Sequence, residues 1–275
     1  MDVSIVILNY RSCGLVKQCI KTIKMYPAGC SYEVIVVDND LADGVGEMLA
    51  ERFPEVRYVP ASGNIGFAAG NNLGIRVARG RYIMIMNPDI TVRPGSIDAL
   101  VRFMDKHPDV GVAGPKLLRP NGQVDESCYR FHRWTTPIYR RTPLGRLRAG
   151  RSESDRYLMA DFDRSETRDV DWLLGAALIF SRSALEKVGP LDEGYFMYVE
   201  DTDWCRRFWL AGYRVTYFVG STMVHCHERQ SAKVFWMFGL LNRTARYHIR
   251  SAIYYFRKWG TRPVTHEELI ADAGA

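Results

Sequence analysis

The sequence predicts an α/β fold in which helices flank a mostly parallel sheet. Three observations carry this. Short runs rich in β-branched residues alternate with helical stretches through the first half of the chain. Those runs are apolar at nearly every position, as strands buried on both faces require. Polar clusters follow two of the runs, at the carboxyl edge where open α/β sheets bind ligands.

The elements follow in order. Val3-Ser4-Ile5-Val6-Ile7-Leu8 predicts the first strand and residues 15–25 a helix; Val34-Ile35-Val36-Val37 and Val56-Arg57-Tyr58-Val59 predict the second and third strands. A helix over residues 68–78 leads to a fourth strand, Tyr82-Ile83-Met84-Ile85-Met86, which stops at Asn87-Pro88-Asp89 because proline cannot donate to a strand ladder. Residues 128–169 are rich in Arg, Ser, Thr and Pro with little periodicity, and predict a long mobile loop. Residues 172–180 predict a strand and 199–211 a helix. Beyond His227, Val234, Phe238, Leu241, Ala245, Ile249, Ala252 and Phe256 recur at three- to four-residue steps, an apolar stripe on a long helix or helix pair. The expected layout is one domain over residues 1–230 and an amphipathic helical region over 231–275.

Composition bounds the function. With 275 residues, 47% hydrophobic and 25% charged, the chain is neither disordered nor fibrous. Cys13, Cys19, Cys30, Cys128, Cys205 and Cys226 form no CxxC pair, and the N-terminus enters a strand-like run at once, so reduced thiols in a cytoplasmic protein are expected. The longest apolar run, residues 234–241, is far short of the roughly 20 residues that cross a bilayer. The net charge of +6 is unevenly spread. Seven arginines and no acid lie between Glu126 and Glu153, and eight Lys or Arg and no acid between Glu228 and Glu267. Such blocks favour phosphates or an anionic membrane surface, or are simply solvated; no nucleic-acid-binding motif accompanies them, and no nucleic-acid partner is expected.

Four motifs carry chemistry. Asp38-Asn39 closes the second strand and Asn87-Pro88-Asp89 the fourth, so one carboxylate can accept from a nucleobase N–H while another binds a metal on a diphosphate. The stretch Asn64-Ile65-Gly66-Phe67-Ala68-Ala69-Gly70-Asn71-Asn72 leads into a helix and suits a phosphate or sugar, although it is neither a P-loop nor a dinucleotide fingerprint. Glu200-Asp201-Thr202-Asp203 begins a helix, where acids suit the dipole and can also supply a general base. His225-Cys226-His227 offers imidazoles that suit Mn²⁺ or Zn²⁺.

In this order the segments resemble the inverting family 2 glycosyltransferases, and more narrowly the rhamnosyltransferase branch that builds bacterial cell-wall and surface polysaccharides. The resemblance runs from Val3 to about Trp259 and rests on Val3 to Tyr10 (Asn9 included), Val36-Val37-Asp38-Asn39, Asn64 to Asn72, Asn87-Pro88-Asp89, Gly175-Ala176-Ala177 and Gly189 to Arg207. It implies the GT-A type of fold, with a nucleotide-binding half over about 1–115 and an acceptor-binding half over about 116–230. It also implies that Asn9, Asp38, Asn64, Gly66, Asn71 and Asn87 serve the donor, Asp38 at the base and Asn87 at the ribose. Asp89, with His227 or else His225, would hold a divalent cation, Mg²⁺ or Mn²⁺; Asp201, in its pair with Glu200, would be the general base. The family pattern has Asp where this chain has Asn87, which removes one negative charge from the metal site.

The implied reaction takes a sugar, L-rhamnose from dTDP-L-rhamnose, to a saccharide or lipid-linked acceptor, with inversion and no covalent intermediate. A UDP-sugar donor or a non-catalytic polysaccharide-binding homologue are the alternatives. A nucleotidyltransferase would need a Gly-rich loop with Arg and Lys after the first strand, where this chain has Asn9-Tyr10-Arg11-Ser12. The basic, aromatic segment over 233–259 predicts peripheral contact with the inner face of an anionic membrane.

Overall fold

The structure, a computed structural model, describes residues 1–226 and 243–273. β1 (Val3–Asn9), α1 (Cys13–Met25), β2 (Tyr32–Asp38), α2 (Val45–Arg52), β3 (Arg57–Pro60), α3 (Phe67–Val77) and β4 (Tyr82–Met86) alternate as expected. Their four strands are parallel throughout, with Ile7 of β1 set between Val36 of β2 and Met86 of β4. Two helices the sequence did not announce, α2 here and α4 below, fill this half. α2 is short, with only Val45 and Leu49 buried, whereas α4 buries Ile97, Leu100, Val101, Phe103 and Met104.

The chain continues through β5 (Ile90–Thr91), α4 (Ser96–Lys106), β6 (Val110–Leu118), β7 (Cys128–Tyr129), α5 (Thr136–Arg141), α6 (Arg148–Tyr157), β8 (Arg168–Asp169) and β9 (Trp172–Leu173). It ends with β10 (Ala177–Ser181), α7 (Arg182–Val188), α8 (Glu200–Leu210), β11 (Arg214–His225), α9 (Arg243–Trp259) and α10 (His266–Ala273). Among the described residues, nine strands form one sheet, ordered β3-β2-β1-β4-β10-β6-β11-β5 with β8 on β11.

Alternation along β1 sorts its side chains. Val6 and Leu8 join one apolar layer with Ile35, Val37, Ile83 and Ile85, while Ile5 and Ile7 join the other with Val34, Val36, Met84 and Met86. Each fully buried aliphatic side chain in these layers contributes about 1.5–3 kcal/mol, so β1, β2 and β4 are fixed by burial on both faces.

Two expectations are corrected. Residues 128–169 are not a mobile loop: they hold α5, a 3-10 turn at Pro143–Arg146 and α6, and they bury Tyr129, Phe131, Tyr157, Met159 and Phe162 in the core. Tyr129 stacks on Trp172 at 4.5 Å, and buried Glu153 accepts from Thr136 and Arg156. The apolar anchors sit at the ends of the arginine-rich run, so its interior showed no period. Residues 172–180 are not one strand. They break after Leu173, because β9 pairs with β7 in a separate small sheet while β10 runs antiparallel between β4 and β6.

The boundary expected at residues 230–231 and His227 lie outside the described residues, as do Val234, Phe238 and Leu241. Among the described residues no helix is long and apolar enough to cross a membrane. No two of the six cysteines form a disulfide.

Candidate active site

The carboxyl ends of β1, β2 and β4 open onto a cleft of about 410 Å³. Its floor carries Tyr10, Asn39, Asn64, Gly66, Asn87 and Asp89. Its far wall is made by Phe196, Met197 and the start of α9, through Arg243, Thr244 and Tyr247. Both expected polar clusters therefore meet in one concavity, at the sheet edge where α/β folds place ligands.

Asp89 ends the β4 segment, and β5 pairs with β11 so that Ile90 faces His225. That pairing sets His225 Nε2 3.5 Å from Asp89 Oδ2 and lets the Cys226 N–H donate to the Asp89 carbonyl at 2.9 Å. The His225 Nδ1 is 3.2 Å from Asp125 Oδ2. Burial opposes ionisation of Asp125, yet His225 and Arg119 hold its carboxyl down at about 2. A carboxylate, an imidazole and a second carboxylate behind the imidazole make the donor set of a divalent-cation site, since a partner on one ring nitrogen fixes the tautomer that presents the other. The residues present fit Mn²⁺ or Mg²⁺ at Asp89. His225 stands beside Asp89; His227 lies outside the described residues.

Asn9, fully buried, donates from Nδ2 to Asp38 Oδ1 and to Asp43 Oδ2, both at 2.9 Å. Asp38 also accepts from the Asp40 N–H at 3.1 Å and from the Tyr58 hydroxyl at 2.9 Å. Burial and Asp38 push the Tyr58 hydroxyl up to about 12, so it stays a donor. Asn9 and Asp38 thus form a buried brace directly behind the cleft and do not line it.

The residue in the cleft itself is Asn39, which the sequence reading quoted in its motif and did not select. Its Nδ2 donates to the Gly66 carbonyl at 2.9 Å, and its buried Oδ1 has no hydrogen-bond partner among the described residues. Gly66 has φ +93°, and a Cβ there would stand 2.5 Å from the Phe196 carbonyl. Only glycine permits that approach. It lets the Phe67 N–H donate to the same carbonyl at 2.7 Å, joining the start of α3 to the loop before α8. Asn71 does not reach the cleft: it lies within α3, is 1% exposed and donates to the Phe67 carbonyl. The helical turn that begins at Phe67 directs it inward.

Glu200 and Asp201 begin α8 and are buried. Tyr198 and Val199 just before them have φ of +71° and +70°, a conformation costly for a β-branched residue and typical of over-determined functional turns. Asp201 Oδ2 accepts from the Gly175 N–H at 3.0 Å, and the Ala176 carbonyl accepts from the Asn87 N–H at 2.8 Å. Two adjacent residues therefore tie the buried carboxylate to the floor of the cleft, and Phe67 lies against Gly175 between them. Burial raises the Asp201 carboxyl to about 6. Burial, then the Asp201 charge, raises Glu200 well above the carboxylate range. Its Oε2 is buried without a partner among the described residues. Burial thus favours the protonated form of both carboxyls.

The sequence profile described as Glycosyl transferase family 2 matches residues 4–188. A relative from Mycobacterium tuberculosis, named N-acetylglucosaminyl-diphospho-decaprenol L-rhamnosyltransferase, is 31% identical over 72% of this chain and 67% of its own length. The chain belongs to glycosyl transferase family 2. The rhamnosyltransferase WbbL of Escherichia coli is 25% identical over 82% of this chain and 83% of its own. A mannosyltransferase of Pyrobaculum calidifontis, solved with GDP-Man and Mn²⁺, shares the fold with a TM-score of 0.61 at 18% identity, over 99% of this chain and 68% of its own.

In this family 2 glycosyltransferase the C-terminal helix was the least legible part of the site. α9 packs through Ser251, which donates to the Met197 carbonyl, and through buried Tyr255; Tyr247 stacks on Phe196 at 4.5 Å. Arg243 donates to the Tyr247 hydroxyl at the cleft. The sequence signal for these residues, a basic helix with interleaved aromatics, pointed to a membrane and not to the cleft. A further cluster, Asp171, His266 and Glu267, lies away from the cleft. Arg130 is 3.4 Å from Asp171 and 3.7 Å from Glu267, so a cation already sits there and the cluster clamps α10 to the domain.

Proposed function

We propose that this glycosyltransferase moves L-rhamnose from dTDP-L-rhamnose, with inversion, onto a saccharide or lipid-linked acceptor of a bacterial cell-wall or surface polysaccharide. The observation that carries the reaction is the link from Asp201 through Gly175 and Ala176 to Asn87: a base poised at about 6 stands next to a nucleotide-sized cleft. The named activities of the relatives support rhamnose as the sugar.

Asp38 uses three of a carboxylate's roughly four acceptor positions in its brace, and from behind the cleft it holds the strand end that presents Asn39 on the cleft floor. Asn39 Oδ1 and Asn87 face the ribose, and Arg243 answers the charge of the diphosphate. Asp89 and His225 would hold the divalent cation, which when bound supplies Lewis-acid stabilisation of the leaving diphosphate. The acceptor oxygen bonds to the sugar's anomeric carbon as the bond from that carbon to the diphosphate oxygen breaks, and Asp201 takes the acceptor proton.

A thermal-shift screen of nucleotide sugars with Mn²⁺ or Mg²⁺, followed by product analysis, tests this reading. At a hundredfold excess over Kd a donor stabilises the folded chain by about 2.7 kcal/mol. Stabilisation by UDP-hexoses and none by dTDP-L-rhamnose would replace the donor.

A second element of the reading is peripheral attachment to the inner face of an anionic membrane. α9 carries Arg246 and Arg250 and no acid. Each basic residue near such a leaflet contributes about 1 kcal/mol.

A further inference from the structure

The arginine-rich run between Glu126 and Glu153 takes no part in the cleft. It folds as a hairpin in which α5, the 3-10 turn and α6 pack on one another. A Cβ at Gly145 would meet the Tyr139 carbonyl and one at Gly150 the Leu144 carbonyl, so glycine at both positions lets the turn close on its two helices. α6 buries Gly150, Glu153 and Tyr157 along one face. Arg148, Arg151, Ser152 and Asp155, at steps of three and four, form the opposite face and with Arg146 line an open hollow of about 510 Å³. Arg133 and Arg156 are paired with buried Glu153, whereas Arg146, Arg148 and Arg151 make no ion pair with any described residue.

Apolar side chains stand beside these arginines. Leu144 is 48% exposed and Leu147 57%. The Leu147 N–H donates to the Leu144 carbonyl at 3.1 Å, the 3-10 pattern that sets side chains three apart one above the other. Trp134 and Ile138, at the start of the same hairpin, are also exposed. Single exposed apolar residues need no explanation, but a leucine pair held on a closed turn among unpaired arginines marks an interaction surface.

The two features together select the occupant. A soluble polyanion, whether nucleic acid or acidic polysaccharide, would meet the arginines and leave the leucines in water. An anionic bilayer meets both, because its phosphates accept from guanidinium groups while the acyl boundary just beneath them takes apolar side chains. We propose that the α5–α6 hairpin docks on an anionic lipid bilayer, with Leu144 and Leu147 entering between the headgroups and Arg146, Arg148 and Arg151 on the lipid phosphates. This docking rests on the reading that the enzyme sits on an anionic membrane, and it adds to α9 a second, separate element of the seat.

Co-sedimentation of the whole chain with phosphatidylglycerol and phosphatidylcholine vesicles tests it, using Arg146→Gln/Arg148→Gln/Arg151→Gln and Leu144→Ser/Leu147→Ser variants. All five residues are exposed and lie outside the cleft, so both variants should keep the wild-type Tm, nucleotide-induced thermal shift and transfer to a water-soluble acceptor. The arginine variant should lose about 100-fold in partitioning onto phosphatidylglycerol, and the leucine variant about tenfold with its charges intact. Binding at the wild-type level by either variant overturns the hairpin; if Arg246→Gln/Arg250→Gln still weakens binding, attachment through α9 stands without it. A wild type that binds neither kind of vesicle overturns the hairpin and the membrane reading together. Poly-L-glutamate bound as tightly as phosphatidylglycerol, and lost by the arginine variant, would assign the face to an acidic protein and overturn the docking as well.

Discussion

Asp203 accepts a hydrogen bond from the Trp259 indole at 2.7 Å. The fully buried carboxylate also takes the Lys258 ammonium at 2.9 Å and Arg207 Nε at 3.0 Å. The third acid of the cluster at the start of α8 is therefore a structural anchor: it joins the end of α9 to the helix that carries Asp201. Removing one partner of a buried ionic network costs more than the pair is worth, because the others keep uncompensated charge.

Asp203→Ala should accordingly lower stability by about 3 kcal/mol in urea denaturation, and Trp259→Phe by about 1–2 kcal/mol, since Lys258, Arg207 and the Tyr195 hydroxyl still donate to it. Neither should change the metal dependence of nucleotide binding. Equal stability of Asp203→Ala and wild type would remove the anchor.

Asp201→Asn should lower kcat by about 10³-fold with little change in donor affinity, because a base acts on the acceptor. In the wild type kcat/KM should rise with pH and level off above about 6, the pKa to which burial raises Asp201. Glu200→Gln, which keeps the size of a carboxyl whose protonated form burial favours, should be far milder. The same shift acts on stability with a definite sign. The folded chain holds the Asp201 proton more tightly than the unfolded chain, so this group's contribution declines as pH rises from 3.8 through about 6. A flat pH profile across that window removes Asp201 as the base.

Asp89→Ala should abolish turnover and the Mn²⁺ dependence of nucleoside diphosphate binding. Asp125→Asn, which leaves His225 without its charged partner, should weaken Mn²⁺ by about 10–100-fold in titrations with nucleoside diphosphate present. Unaltered metal affinity in both variants would place the cation elsewhere. Asn87→Asp restores a carboxylate at the strand end and should retain activity while tightening the metal.

Arg246→Gln/Arg250→Gln should reduce co-sedimentation with phosphatidylglycerol vesicles and leave transfer to a water-soluble acceptor unchanged. Arg243 is not part of this test, because it lines the cleft. Salt-insensitive binding, or binding equal on neutral vesicles, refutes an electrostatic seat.

The sequence by itself determined the α/β class, because β1, β2 and β4 are apolar on both faces and only a sheet covered by helices buries them. It also determined that Asn39, Asn64, Gly66, Asn87 and Asp89 meet, since strand ends of one parallel sheet open on one edge. What it left open turned on contacts between residues far apart in the chain. Tertiary packing decided that His225 stands at Asp89, through the β5–β11 register, and that Asn9 and Asn71 face inward. It decided that the arginine-rich run folds, because Tyr129, Phe131 and Tyr157 find Trp172 and the core across sequence gaps that no period reveals. It decided which face of α9 is buried: a helical stripe tells that one side is apolar, but Ser251 and Tyr255, drawn by hydrogen bonds to Met197 and Arg206, took the core side and left Ile249 and Ile253 outside.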